Sequence, residues 1–187
     1  MMDDENLDPR HIYKIPGGPT QPEITAIVLS KLEIMPNDLV LDVGCGTGTM
    51  TVALAKQAQS VFAIDTRDEA IACTKEHCQH EDCFNVEVMQ GDARTIIPTL
   101  GWVDRAFCGG SKGMDEIIPL LHARGALRIV VNAVLLETVV VAMQAMKDVG
   151  MHCDIIHLHI SRSTELAGRT MFVPINPVYV ITGSRKE

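Results

Sequence analysis

Leu41-Asp42-Val43-Gly44-Cys45-Gly46-Thr47-Gly48 is the stretch on which the fold turns. An apolar run ends in a G-x-G-x-G loop, and residues 50–58 behind it follow a helical pattern. Glycines between a strand and a helix allow positive φ and let a ligand come close to the main chain. The helix start behind them adds N–H groups that lack intrahelical partners.

The choice of ligand follows from spacing and charge. A P-loop requires Gly-Lys-Ser/Thr, and no lysine follows the loop until Lys56. The dinucleotide fingerprint is G-x-G-x-x-G, so the third glycine here comes one position early. Asp42 stands two positions before the first glycine, where a carboxylate would repel a pyrophosphate and suit a cation. S-adenosylmethionine (SAM), with its sulfonium and ammonium groups, fits that choice. NAD is the alternative.

Two more carboxylates stand where a nucleoside needs them. Asp65 closes a second apolar run, 21 residues after Gly44, where an acid can accept hydrogen bonds from both ribose hydroxyls. Asp92 closes a third, where it could take the exocyclic amine of adenine while Ala93 lines the ring. A lone strand-end Asp is more often a cap or turn residue. Three strand ends in the right order outweigh that reading.

Outward from the loop, apolar runs alternate with helical patterns. Thr20 opens a first helix, with Pro22 in its first turn and Thr20 and Glu23 at capping-box spacing. Helices are expected over residues 67–80, 114–123 and 137–149, and further strands over 86–89, 103–108 and 127–131. Two closing strands, 152–160 and 177–182, are joined by a polar loop over 161–168. This pattern predicts an α/β three-layer Rossmann-like sandwich of about seven strands, mostly parallel, with a closing antiparallel strand. Residues 1–19, polar and carrying three prolines, read as an arm, and residues 20–187 as one domain.

Composition narrows the function classes. The chain has 187 residues, 47% of them apolar and 21% charged, which excludes an intrinsically disordered chain. A net charge of −8 offers no basic footprint for nucleic acid. No apolar run spans a bilayer and no signal-peptide pattern opens the chain, so a cytoplasmic location is expected. The six cysteines are then expected to be reduced. Cys73, His77, Cys78, His80 and Cys83 have loosely zinc-like spacing, but they read as helix and turn residues, and no metal site is assigned.

Several further elements accompany the glycine loop. They are Pro16-Gly17-Gly18-Pro19-Thr20, Ala63-Ile64-Asp65, the segment from Glu87 to Ala93, Gly109-Gly110-Ser111, Leu135-Leu136-Glu137-Thr138 and Asn176-Pro177. Together they resemble the decarboxylating cobalt-precorrin-6B (C-15) methyltransferases of cobalamin biosynthesis, over nearly the whole chain. Lys112 departs from that pattern, taking the place of a further glycine after Ser111. The resemblance implies a class I SAM-dependent C-methyltransferase. It methylates C-15 of a cobalt-precorrin and removes the acetate carboxyl at ring carbon 12 as carbon dioxide. It also implies SAM contacts at Thr20, at Gly44, Cys45, Gly46, Thr47 and Gly48, and at Asp65 and Ala93. A homotetramer, working beside a C-5 methyltransferase, is implied as well.

On the substrate side, Gly109, Gly110 and Ser111 leave an open strand end suited to a bulky planar molecule. A polycarboxylate binding to an acidic protein needs local cations. Arg10, His11, Lys14, Lys112, Arg162 and Arg169 are candidates, with Arg162 and Arg169 assigned to the substrate. Glu137, just past the fifth strand, is the candidate acid/base, although a first-turn helix acid would explain it equally well. His157 and His159 share a strand face and read as packing residues. Two alternatives stay open: a methyltransferase acting on RNA, protein or another small molecule, and a non-catalytic subunit that retains the fold.

Overall fold

The structure, a computed structural model, describes residues 18–110 and 112–185. Most of the expected arm, with Arg10, His11 and Lys14, lies outside these residues, as does Ser111. The described chain opens with α1 (Pro22–Leu32), β1 (Leu39–Val43), α2 (Thr49–Ala55), β2 (Ser60–Asp65), α3 (Asp68–His80) and β3 (Val86–Gln90). It continues through a short α4 (Ala93–Ile96), β4 (Arg105–Cys108), α5 (Met114–Ala123), β5 (Arg128–Ala133) and α6 (Leu136–Asp148). Four strands close it: β6 (His152–Leu158), β7 (Ser161–Leu166), β8 (Arg169–Pro174) and β9 (Val178–Ser184).

Seven strands form one sheet in the order β3-β2-β1-β4-β5-β9-β6. The strands from β3 to β5 pair in parallel, whereas β9 runs antiparallel to both β5 and β6. This is the α/β sandwich that the alternating pattern predicts. The chain winds outward from β1 in both directions, so the crevice beyond the carboxyl ends of β1 and β4 is where such a sheet binds ligands.

Successive residues of β1 face opposite layers. Leu41 packs with Ile64, Val131, Ile118, Leu121 and Met146 beneath α5 and α6. Val40 packs with Val61, Phe107, Val130, Val28 and Leu32 beneath α1 and α2. The core is aliphatic, as the scarcity of aromatics requires, and burying each such side chain contributes about 1.5–3 kcal/mol. Pro119 removes one backbone donor inside α5. The helix persists because Ile117, Ile118 and Leu121 are buried on the sheet.

Two arginines orient α1. Arg105 Nε donates to the Leu32 carbonyl at 3.0 Å and Arg128 Nη1 to that of Lys31 at 3.2 Å, satisfying carbonyls that a helix end leaves unpaired. Both arginines begin their strands, so the other end of α1, with Thr20 ahead of it, points toward the carboxyl edge of the sheet.

Two expectations need correction. The cap of α1 is Gln21, with no side-chain bond, not Thr20. Glu23, the supposed capping-box partner, is instead gripped by Arg162. The loop expected over 161–168 is a hairpin: β7 pairs antiparallel with β8 in a separate two-stranded sheet. Its turn, Ala167 and Gly168, has φ of 51° and 72°, the double positive φ of a tight two-residue hairpin turn.

Candidate functional site

The three loop glycines have different duties. A side chain on Gly44 would meet the Gly110 nitrogen at 3.1 Å, so this glycine lets the β1 and β4 loops touch. One on Gly48 would meet the Thr74 Cα at 2.9 Å, so this glycine admits α3 against α2. Gly46 serves through its N–H, which donates to Asp65 Oδ2 at 3.1 Å.

Three further N–H groups of the loop are also committed. Those of Gly44 and Cys45 donate to the Ile64 carbonyl at 2.8 and 3.0 Å, and that of Gly48 to the Cys45 carbonyl at 2.9 Å. With four of its N–H groups bonded internally, the loop offers few donors to a phosphate, which weighs against a dinucleotide.

Asp42 is fully buried, beneath α2 and away from the solvent edge. Thr51 Oγ1 donates to its Oδ2 at 2.6 Å, and Oδ1 has no partner. Burial pushes its carboxyl up to about 7. It therefore supports the loop from below and makes no direct ligand contact. Cys45 is core: it packs with Ala63 and Ile71, and burial, then the Asp42 charge, pushes its thiol up to about 12. Thr47 is buried, its hydroxyl 3.0 Å from that of Thr49.

A cleft of about 670 Å³ opens above this loop, and Gly44, Asp65, Asp92, Ala93, Gly109 and Gly110 all line it. The ends of β1, β2, β3 and β4 therefore converge as their order implied. Lys112 adds a cation to the lining, and Met114 and Ile117 add an apolar wall from α5.

Each of the two acids is held by an arginine two residues on. Arg67 reaches Asp65 with its backbone N–H and Nε on Oδ1 and its Nη2 on Oδ2, each at 3.1 Å. Burial alone would raise the Asp65 pKa, but the Arg67 side chain, its N–H and that of Gly46 outweigh it and hold the carboxyl below its usual range. Asp92 caps α4 by accepting from the Arg94 N–H at 2.9 Å. The Arg94 guanidinium reaches both Asp92 oxygens and also Glu116 Oε1, and it draws the Asp92 carboxyl down to about 2. Sequence reasoning missed Arg67 and Arg94, although the repeated Asp-x-Arg spacing was there to find.

Other expected residues stand apart. Glu137 is exposed in the first turn of α6, beyond the end of β5 and off the cleft lining. Arg162 extends a guanidinium to both carboxylate oxygens of Glu23. Arg169 lies at the hairpin tip beside Leu166 and Met171. Thr20 precedes α1 and does not line the cleft. His157 stacks on Tyr179 at 3.9 Å and lies 3.1 Å from His159, a packing arrangement. Cys73 and Cys78 are buried on α3, and no cluster suited to a metal ion occurs among the described residues.

A family model described as a precorrin methyltransferase domain matches residues 11–185. A protein of Methanosarcina acetivorans named "Probable cobalt-precorrin-6B C(15)-methyltransferase (decarboxylating)" is 41% identical over 180 residues, covering 94% of this chain and 98% of that one. The crystal structure of a precorrin 8W decarboxylase from Methanobacterium thermoautotrophicum superposes with a TM-score of 0.85 at 38% identity, covering 89% of this chain and 92% of that one. A precorrin-6Y C5,15-methyltransferase from Geobacter metallireducens gives a TM-score of 0.84 at 26% identity, with 89% of each chain covered.

Proposed function

The chain belongs to the precorrin methyltransferase family, and on that premise we propose that it methylates C-15 of a cobalt-precorrin-6B-type macrocycle with SAM as donor, coupled to loss of the acetate carboxyl at ring carbon 12. The observation that carries the reading is the meeting of Gly44, Asp65, Asp92 and Ala93 on one cleft at the reversal of strand order. These residues fit SAM: carboxylates face a ligand rich in donors, and the loop leaves few free N–H groups for a phosphate. When bound, SAM supplies an electrophilic methyl group.

The chain's own residues bind and orient. Asp65 accepts the ribose hydroxyls, Asp92 accepts the adenine amine, and Ala93 with Ile117 walls the ring. Gly109 and Gly110 keep the β4 end low enough for a planar macrocycle to lie across it. The conjugated macrocycle is its own carbon nucleophile, so no nucleophilic side chain is required. Holding its C-15 in line with the donor is the protein's main task, and alignment of this kind is worth about 7–11 kcal/mol. In the second half-reaction the bond between the acetate methylene and its carboxyl breaks and carbon dioxide leaves. The electron pair passes into the macrocycle, and a proton takes the place of the carboxyl. Glu137, just beyond the end of β5, is the residue proposed to carry that proton.

Lys112, in the cleft lining, and Arg162 and Arg169 are proposed for the substrate's carboxylates. A homotetramer is proposed on the exposed apolar side chains of Val134, Leu135, Leu136 and Phe172, and a cytoplasmic location and a separate C-5 methyltransferase complete the reading. No helix among the described residues is long and apolar enough to cross a membrane. The test is incubation with cobalt-precorrin-6B and SAM, with methyl gain and carbon dioxide release followed separately. Absence of both products from folded, SAM-binding protein would overturn the substrate assignment.

A further inference from the structure

Asp65 has no acceptor position left for a ligand. A carboxylate offers about four lone-pair sites. Four N–H donors converge on this one: those of Gly46 and Arg67 from the backbone, and Nε and Nη2 of the Arg67 guanidinium. Ribose hydroxyls that donate to Asp65 need two of those sites. The backbone donors are fixed by β2 and the glycine loop, whereas the guanidinium sits on a rotatable stem at the cleft edge.

A second observation concerns the approach to the loop. A side chain built on Gly46 would have the Arg67 Nη2 as its nearest neighbour, at 3.8 Å. The guanidinium thus lies over the backbone that the glycine leaves open, and Arg67 itself lines the cleft. Asp92 differs in being more exposed, although Arg94 alone makes four hydrogen bonds to it, with Nε shared between both oxygens.

We propose that Arg67 competes with the cofactor's ribose for Asp65, so that the nucleoside end of the cleft is filled only as the guanidinium swings away. The proposal rests on the reading of Asp65 as the ribose acceptor. Arg67 is then a residue that sets cofactor affinity and association rate by occupying the acceptor first. Its backbone N–H stays on Oδ1 throughout and keeps the carboxylate aimed while the side chain leaves. Displacement breaks an ion pair that is open to solvent on the arginine side, and such pairs are worth little.

The test uses S-adenosylhomocysteine, whose zero net charge limits the effect of removing a distant cation. Arg67→Ala should bind it roughly two- to fivefold more tightly, with a faster association rate in stopped-flow measurements. Arg67→Lys keeps the charge but cannot grip both oxygens in one plane, so it should fall between Arg67→Ala and the parent. In an Asp65→Ala background the gain from Arg67→Ala should vanish, because the carboxylate under competition is gone. A gain that persists in that background would mean simple steric release and would overturn the proposal. So would unchanged or weaker binding by Arg67→Ala while Asp65→Ala weakens binding. If Asp65→Ala binds as the parent does, the ribose reading itself fails, and the competition with it.

Discussion

Asp42 and Thr51 share a 2.6 Å hydrogen bond beneath the glycine loop, and the other Asp42 oxygen is buried with no partner. The carboxyl is therefore driven toward its neutral form, near 7. Its folded pKa lies above its unfolded value of 3.8, so the folded state binds the extra proton. Stability from this group is then present below about pH 4 and is lost as pH rises through about 7. Asp42→Asn should match the parent in thermal melts near pH 4 and exceed it at pH 8 by roughly 2–4 kcal/mol. A difference between the two that does not vary with pH would remove Asp42 as a titrating group.

Gly48→Ala should destabilise the fold without touching the ligand. Its φ of 79° and the 2.9 Å approach to Thr74 Cα leave no room for a methyl group. Strain of about 1–2 kcal/mol from the backbone and about 1–3 kcal/mol from overpacking should add. Chemical denaturation should register that loss, while SAM affinity measured well below the melting temperature should change little.

Much of this arrangement was legible beforehand, and the reasons are physical. The strand from Leu39 to Val43 and the helix after it follow from side-chain periodicity, and the strand-end acids fall where a doubly wound sheet puts them. The β7–β8 hairpin escaped because Ser161–Leu166 has no buried face to leave an alternating pattern. Its turn places Ala167, an ordinary residue, at positive φ. The cap at Thr20 was misread because Arg162, 139 residues from Glu23, draws that carboxylate away. The arginine clasps on Asp65 and Asp92 depend on side-chain rotamers, which spacing alone does not determine.

Saturating SAM should stabilise the folded chain. At about 100 times the dissociation constant the gain is ~2.7 kcal/mol, which for a domain of this size corresponds to roughly 5–10 °C. NAD at the same concentration should leave the melting temperature where it was, because most of the loop N–H groups that would hold its pyrophosphate are already bonded. A shift with NAD and none with SAM would reverse the assignment.

Asp65→Ala should weaken SAM binding by about 1.5–3 kcal/mol, the worth of hydrogen bonds to a charged acceptor. The fold should survive, since the strand pairing of β2 does not depend on that side chain. Calorimetry giving parent affinity would take Asp65 out of the site.

The three proposed substrate cations should rank by what already holds them. Lys112 lines the cleft itself. Arg169 stands at the hairpin tip, and Arg162 is engaged by Glu23. A substrate carboxylate would have to draw Arg162 from a carboxylate already gripped at both oxygens, so its net contribution is the smallest. Lys112→Ala should raise the KM for the macrocycle by roughly tenfold, the equivalent of one charge-assisted hydrogen bond. Arg169→Ala should raise it by less, and Arg162→Ala by least. SAM affinity should hold steady in all three, because none of them contacts Asp65 or Asp92. The measurement is steady-state kinetics at saturating SAM with the macrocycle varied. If Arg162→Ala gave the largest rise, Glu23 would be a partner that the substrate displaces, and the macrocycle would reach across to the hairpin.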